Sequence, residues 1–72
     1  MAKGSSAVYR VTEVIGTSPN SWEDAARTAV KTAAKSLRDL RIAEITKLDV
    51  RIENGKVSQF RARLSLSFKY EA

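Results

Sequence analysis

The sequence predicts an α+β fold in the order β-α-β-β, a three-stranded antiparallel sheet curled around one helix. Three observations carry that expectation. From Ser58 onward the chain alternates: Phe60, Ala62, Leu64, Leu66, Phe68 and Tyr70 share one parity, and Gln59, Arg61, Arg63, Ser65, Ser67 and Lys69 share the other. A period of two over that length is a strand with one buried face. Directly before it stand Asn54 and Gly55, the pair that best tolerates positive φ at both central positions of a hairpin turn. The third observation is a stretch of apolar residues at three- and four-residue steps, between Trp22 and Leu40, which marks the one helix expected.

Residues 7–15 are rich in β-branched and aromatic side chains and form the first expected strand. Val8 and Val14 share a parity with Arg10 and Thr12, whereas Tyr9, Val11 and Ile15 share the other with Glu13. Both faces are therefore partly apolar, as expected if one meets a helix and the other meets something else. Gly16, Thr17, Ser18, Pro19 and Asn20 are turn formers and are expected to stop the strand. Ser21 then serves as N-cap, with Asp24 three positions on as a short-armed capping box, and Glu23 and Asp24 lie at the positive end of the helix dipole. Trp22, Ala25, Ala26, Ala29, Val30, Ala33, Leu37 and Leu40 make one apolar stripe, mostly alanine, so the helix can lie close to the sheet. Arg27, Lys31, Lys35 and Arg38 form a second, basic stripe, with Glu23 and Arg27 spaced for an i,i+4 pair. That stripe reads as a solvated outer face.

Residues 41–52 form the second expected strand. Ala43 and Ile45 are apolar on the odd parity, and Leu48, Val50 and Ile52 on the even one. The pattern slips by one residue near Thr46 and Lys47, which a β-bulge explains. Residues 57–70 then fold back as the third strand. Fourteen residues at strand rise span roughly 46 Å, whereas a compact chain of this length has a radius of gyration of about 11 Å and a diameter of about 30 Å. The strand outruns its own globule, so part of its apolar face is expected to be covered by other copies of the chain. Its opposite face is polar and suits water or an enclosed aqueous space. Tyr9, Phe60, Phe68 and Tyr70 fall on core parity, and Trp22 is expected to anchor a core or an interface.

With 72 residues, the chain is expected to hold a single domain at 7–72 behind a flexible start at 1–6. The start is small and polar and is expected to be neither a signal peptide nor a membrane span. The absence of cysteine excludes disulfides and agrees with a reducing, cytoplasmic setting. The absence of histidine removes the commonest metal ligand and neutral-pH acid–base group. Any metal site must use carboxylates and carbonyls, which points to calcium or magnesium. The net charge of +5 and pI near 10.0 keep a basic nucleic-acid-binding module as the alternative reading. The third strand carries no aromatic-rich RNA-binding signature, so nucleic acid is not the favoured partner. No serine has a histidine or lysine arranged for nucleophilic attack, and Gly4, Gly16 and Gly55 are too dispersed for a phosphate loop. The chain is not expected to be an enzyme. Glu13, Glu44 and Asp49 sit within strand patterns, either as carboxylates that meet across the sheet or as salt-bridge partners of Arg10, Lys47 or Arg51.

Val8, Tyr9, Arg10 and Val11, followed by Glu13, Val14, Ile15, Gly16, Thr17 and Ser18, resemble the opening of the dodecins. The Ala-rich helix, the segment 40–45 and the closing Leu66, Ser67 and Phe68 continue the likeness over residues 7–70. The resemblance implies a β-α-β-β subunit, twelve copies of which form a hollow homododecamer that stores a small ligand or ion without catalysis. In flavin-binding dodecins a tryptophan early in the second strand stacks on the isoalloxazine, and a glutamine on the third strand hydrogen-bonds it. Those positions fall on Ile42 and Arg61, and a position where the family often has arginine, near the flavin phosphate, falls on Asp49. Isoleucine does not stack like indole and Asp49 repels a phosphate, so binding of FMN or riboflavin is expected to be weak or lost. Flavin storage stays as an alternative. Arg61 is instead expected to pair with Asp49 or Glu44. The residues implied for a cofactor are Ile42, Glu44, Asp49, Gln59 and Arg61. The likeness is closest to members without the tryptophan, described as calcium-binding, which implies Glu13 and Asp49 as metal ligands. Calcium takes about six to eight oxygens, so such a site is expected on a symmetry axis. Coenzyme A-like ligands near the trimer axis are a further family possibility.

Overall fold

The computed structural model describes residues 6–69; the expectations for Tyr70 and for residues 1–5 lie outside them. The chain runs β1 (Tyr9–Ser18), α1 (Trp22–Ala33), β2 (Leu40–Glu53) and β3 (Lys56–Lys69). The strands form one antiparallel sheet in the order β1-β3-β2. Asn54 (φ 53°) and Gly55 (φ 74°) both take positive φ in the β2–β3 turn, as a two-residue hairpin requires.

β1 continues three residues past its expected end. Gly16 and Thr17 pair with Ala62 and Arg61, so they belong to the ladder and not to a turn. Gly16 faces α1, where a Cβ would collide with the Ala25 carbonyl oxygen and stand 2.8 Å from the Ala29 Cβ. The glycine is there for close helix–sheet approach. The buried hydroxyl of Ser18 accepts from the Asn20 N–H at 3.0 Å and donates to Asp24 Oδ2 at 2.6 Å. Ser21 caps α1 by accepting from the Asp24 N–H at 3.0 Å. The expected capping box is thus half formed, because Ser18 has taken the Asp24 carboxylate. Among the described residues no ion pair joins Glu23 to Arg27.

The helix is shorter than its apolar spacing suggests. It ends at Ala33, the N–H groups of Lys35, Ser36 and Leu37 fold back onto the Thr32 and Ala33 carbonyls, and Asp39 at φ 58° reverses the chain. Leu40 is already the first residue of β2. Leu37 and Leu40 still pack on the core of Ala25, Ala29, Ala62, Leu64 and Leu66, which is why they mimic a helical stripe. The β2–β3 register slips between Ile45 and Lys47, where the bulge is expected, and also between Leu40 and Ile42 and between Arg51 and Ile52. Thr46 Oγ1 donates to the Arg63 carbonyl at 3.2 Å. Tyr9 is not a core residue: it pairs with Lys69 and is 47% exposed.

The Cα radius of gyration is 15.2 Å and the extents are 56 × 21 × 16 Å, well beyond the roughly 11 Å of a compact chain of this length. The helix lies over β1 and β3 and leaves β2 largely bare. Ile42, Ile45, Leu48 and Ile52 on that edge strand are 50–64% exposed.

Candidate functional site

The register sorts the chemistry onto one side of the sheet. Ala62, Leu64 and Leu66 of β3 pack under α1, so Arg61, Arg63, Ser65 and Ser67 project from the uncovered face. Their cross-strand partners lie on that face too: Asp49 opposite Arg61, Lys47 opposite Arg63, Glu44 opposite Ser65 and Ile42 opposite Ser67 on β2. Glu13 lies opposite Ser65 on β1, and Gln59 lies opposite Arg51. The bulge at Thr46 is what makes this possible. It returns Leu48 and Val50 to the helix side and leaves Lys47 and Asp49 on the open one.

Asp49 and Arg61 form the best-defined polar unit. Arg61 Nε donates to Asp49 Oδ1 at 2.7 Å and Nη2 to Oδ2 at 3.2 Å, a bidentate fork. The hydrogen bonds from Arg61 hold the Asp49 carboxyl below its usual 3.8, against a smaller opposing effect of desolvation and with help from the charges of Arg61 and Arg63. The same hydrogen bonds raise Arg61. Arg63 Nη1 stands 4.0 Å from Glu13 Oε1, beside a shallow hollow of about 380 Å³ lined by Glu13, Val14, Ile15 and Arg63. The pairing of Arg61 with Asp49 is one of the two expected for it, whereas Arg63, which approaches Glu13, is not among the partners expected for that carboxylate.

The structure brings together only part of the expected constellation. Asp49 and Arg61 touch, and Gln59 lies two residues from Arg61 on the same face. Ile42, opposite Ser67, is six strand residues from Arg61, roughly 20 Å away. Glu13 and Asp49 sit on opposite outer strands, four β3 residues out of step, and each faces a different arginine. Among the described residues no group of three or more histidine, cysteine, aspartate or glutamate side chains is placed to hold a metal. Calcium takes about six to eight oxygens, and Glu13 and Asp49 do not come together among the described residues to offer a shared set. Trp22 was expected only as an anchor, and its polar reach is longer than that. Its indole N–H donates to the Asp49 carbonyl at 3.0 Å, and its ring stands edge-on to Phe60 with centroids 5.1 Å apart at 75°. A contact spanning 27 residues leaves no trace in local periodicity.

On the other side, two apolar hollows open between α1 and β2. One of about 450 Å³ is lined by Ala26, Val30, Ala43, Ile45 and Leu64 with Arg27 and Lys31. Another of about 490 Å³ runs past Trp22, Ile45, Leu48 and Phe60.

Residues 8–71 match the family model described as Dodecin. The chain belongs to the dodecin family. It is 41% identical over 63 residues to the calcium dodecin of Mycobacterium tuberculosis, a match covering 88% of this chain and 89% of the relative. The solved dodecin from Streptomyces coelicolor superposes with a TM-score of 0.88 at 42% identity, over 96% of this chain and 99% of that one. A crystal structure of the M. tuberculosis calcium dodecin, described as calcium-chelating with a novel calcium-binding site, superposes at 0.80 with 40% identity, over 90% and 93% of the two chains. The dodecin fold accounts for the β-α-β-β order and for the helix seated on one side of the sheet. No helix among the described residues is long and apolar enough to cross a membrane.

Proposed function

We propose that this chain is a non-catalytic, cytoplasmic dodecin-like subunit that assembles as a hollow homododecamer and sequesters a small ligand or ion at places built between copies. The observation that carries the reading is the separation of the candidate residues. Ile42, Glu44, Asp49, Gln59, Arg61 and Glu13 share one sheet face, yet they span too much of it for one small molecule to touch them all within a chain. Copies meeting around symmetry axes bring such residues together and turn one carboxylate into two or three. The apolar hollows beside α1 and the bare β2 are the surfaces that neighbouring copies cover.

Flavin binding is weak in this reading, because Ile42 offers no stacking ring and Asp49 holds Arg61. An ion is the better candidate, and likeness to the calcium dodecin of M. tuberculosis supports calcium bound between subunits. Calorimetric titration of the assembled protein with calcium and, separately, with riboflavin tests this. Measurable calcium binding alongside weak riboflavin binding is the expected result. Submicromolar riboflavin affinity, or no binding of either, contradicts it.

A further inference from the structure

We propose that Trp22 is a positioning residue for the Asp49–Arg61 pair, acting on it from the opposite side of the sheet; its functional weight rests on the reading that this pair belongs to the ligand site. Three observations converge. The indole N–H bond to the Asp49 carbonyl is, among the described residues, the one hydrogen bond between α1 and β2, and β2 is the strand the helix covers least. The same ring stands against Phe60, the β3 residue immediately before Arg61. Asp49 opposite Arg61 and Val50 opposite Phe60 are consecutive rungs of the ladder. Trp22 thus grips both strands at the rung that carries the ion pair: β2 through the Asp49 backbone and β3 through the Phe60 ring.

The fork between Asp49 and Arg61 is directional. A bidentate guanidinium–carboxylate contact needs both strands at the correct stagger and twist. β2 is an edge strand with a bulge three residues upstream, the kind of segment that slides or frays unless something pins it. A donor from the first turn of α1 supplies that pin, and the helix start is itself fixed by Ser18, Ser21 and Asp24. The chain of contacts runs from the capped helix through the indole to the edge strand and then to the pair on the far face. Occupancy of the open face is therefore readable from the indole.

Trp22 is the sole tryptophan, so emission from the assembled protein tests the coupling without any ligand. R61Q and D49N, which break the pair on the far side of the sheet, are each expected to shift the emission maximum. K47Q, which removes a charge from the same face while leaving the pair intact, is expected to leave it in place. An unshifted maximum in R61Q and D49N, or an equal shift in all three, overturns the proposal. In the reverse direction, W22F keeps a ring on Phe60 and loses the donor. Proton exchange at Arg61 Nε–H, followed by NMR, is expected to speed up by about fivefold, the net worth of one hydrogen bond, with Leu64 amide exchange unchanged. Unaltered Arg61 exchange contradicts the proposal, and if W22F does not fold the emission comparison still decides. Because neither arm contains calcium or flavin, failure here is separable from failure of the ligand reading.

Discussion

Both oxygens of the Asp49 carboxylate are committed to one guanidinium, and that commitment has a pH signature. The hydrogen bonds from Arg61 lower the Asp49 value in the folded chain. A depressed carboxyl stabilises the fold above the unfolded carboxylate range, about pH 4, and that contribution is lost as pH falls through the lower folded value. The carboxyl carbon shift of Asp49 is expected to titrate below that of an ordinary aspartate, and R61Q is expected to return it to the ordinary range. An unchanged midpoint in R61Q contradicts the pairing. Ile42 supports a second residue-scale prediction. It is 62% exposed, and Ile42→Trp supplies the flat ring that flavin stacking uses. Stacking worth about 0.5–1.5 kcal/mol beyond buried area makes riboflavin bind about two- to tenfold tighter, read from quenching of flavin fluorescence; equal or weaker binding speaks against Ile42 facing the ligand. The Asp49–Arg61 pair was legible in the sequence because both residues flank one hairpin, whose turn sets their register. The Glu13–Arg63 approach was not. It joins β1 to β3 across the whole helix, and no local pattern encodes that stagger.

Among the elements, the hairpin was the most legible, since alternation and the Asn54–Gly55 turn are local signals. The bulge at Thr46 was visible because enough apolar residues stand on each side to show the change of parity. The slips near Leu40 and Arg51 lie at strand ends, where two or three residues do not define a parity. The end of α1 was hidden for a different reason: Leu37 and Leu40 keep facing the core after the chain has left the helix, so burial continues where hydrogen bonding does not. Gly16 was read as a breaker, yet its role is close packing. Gly16→Ala therefore tests the α1–β1 contact. The added Cβ meets the Ala25 carbonyl, which cannot move without shifting the helix, and overpacking of this kind costs about 1–3 kcal/mol. A lower thermal midpoint, or loss of the folded assembly, is the expected outcome in a calorimetric scan. An unchanged midpoint shows that α1 does not seat against β1 as closely as described.

For the molecule as a whole, the shape sets the terms. The fully buried large apolar side chains among the described residues are Leu64 and Leu66, each contributing about 1.5–3 kcal/mol. The rest of the buried core is alanine. Chains this short usually need a staple; the absence of cysteine removes disulfides, and the proposed assembly, with any ion held between copies, would supply one. In the proposed assembly, neighbouring copies would seat on the helix-side groove, where Ile45 and Leu48 of β2 line the hollows beside α1. Replacing Ile45, which lines both hollows, with lysine puts a charge into that groove and is expected to lower the assembly's mass, as sedimentation velocity would show. The most direct test of the account is the molar mass of the unmodified protein in dilute solution, by size exclusion coupled to light scattering. The account predicts one species with twelve times the mass of the 8.0 kDa chain; a stably folded species at the single-chain mass would contradict it.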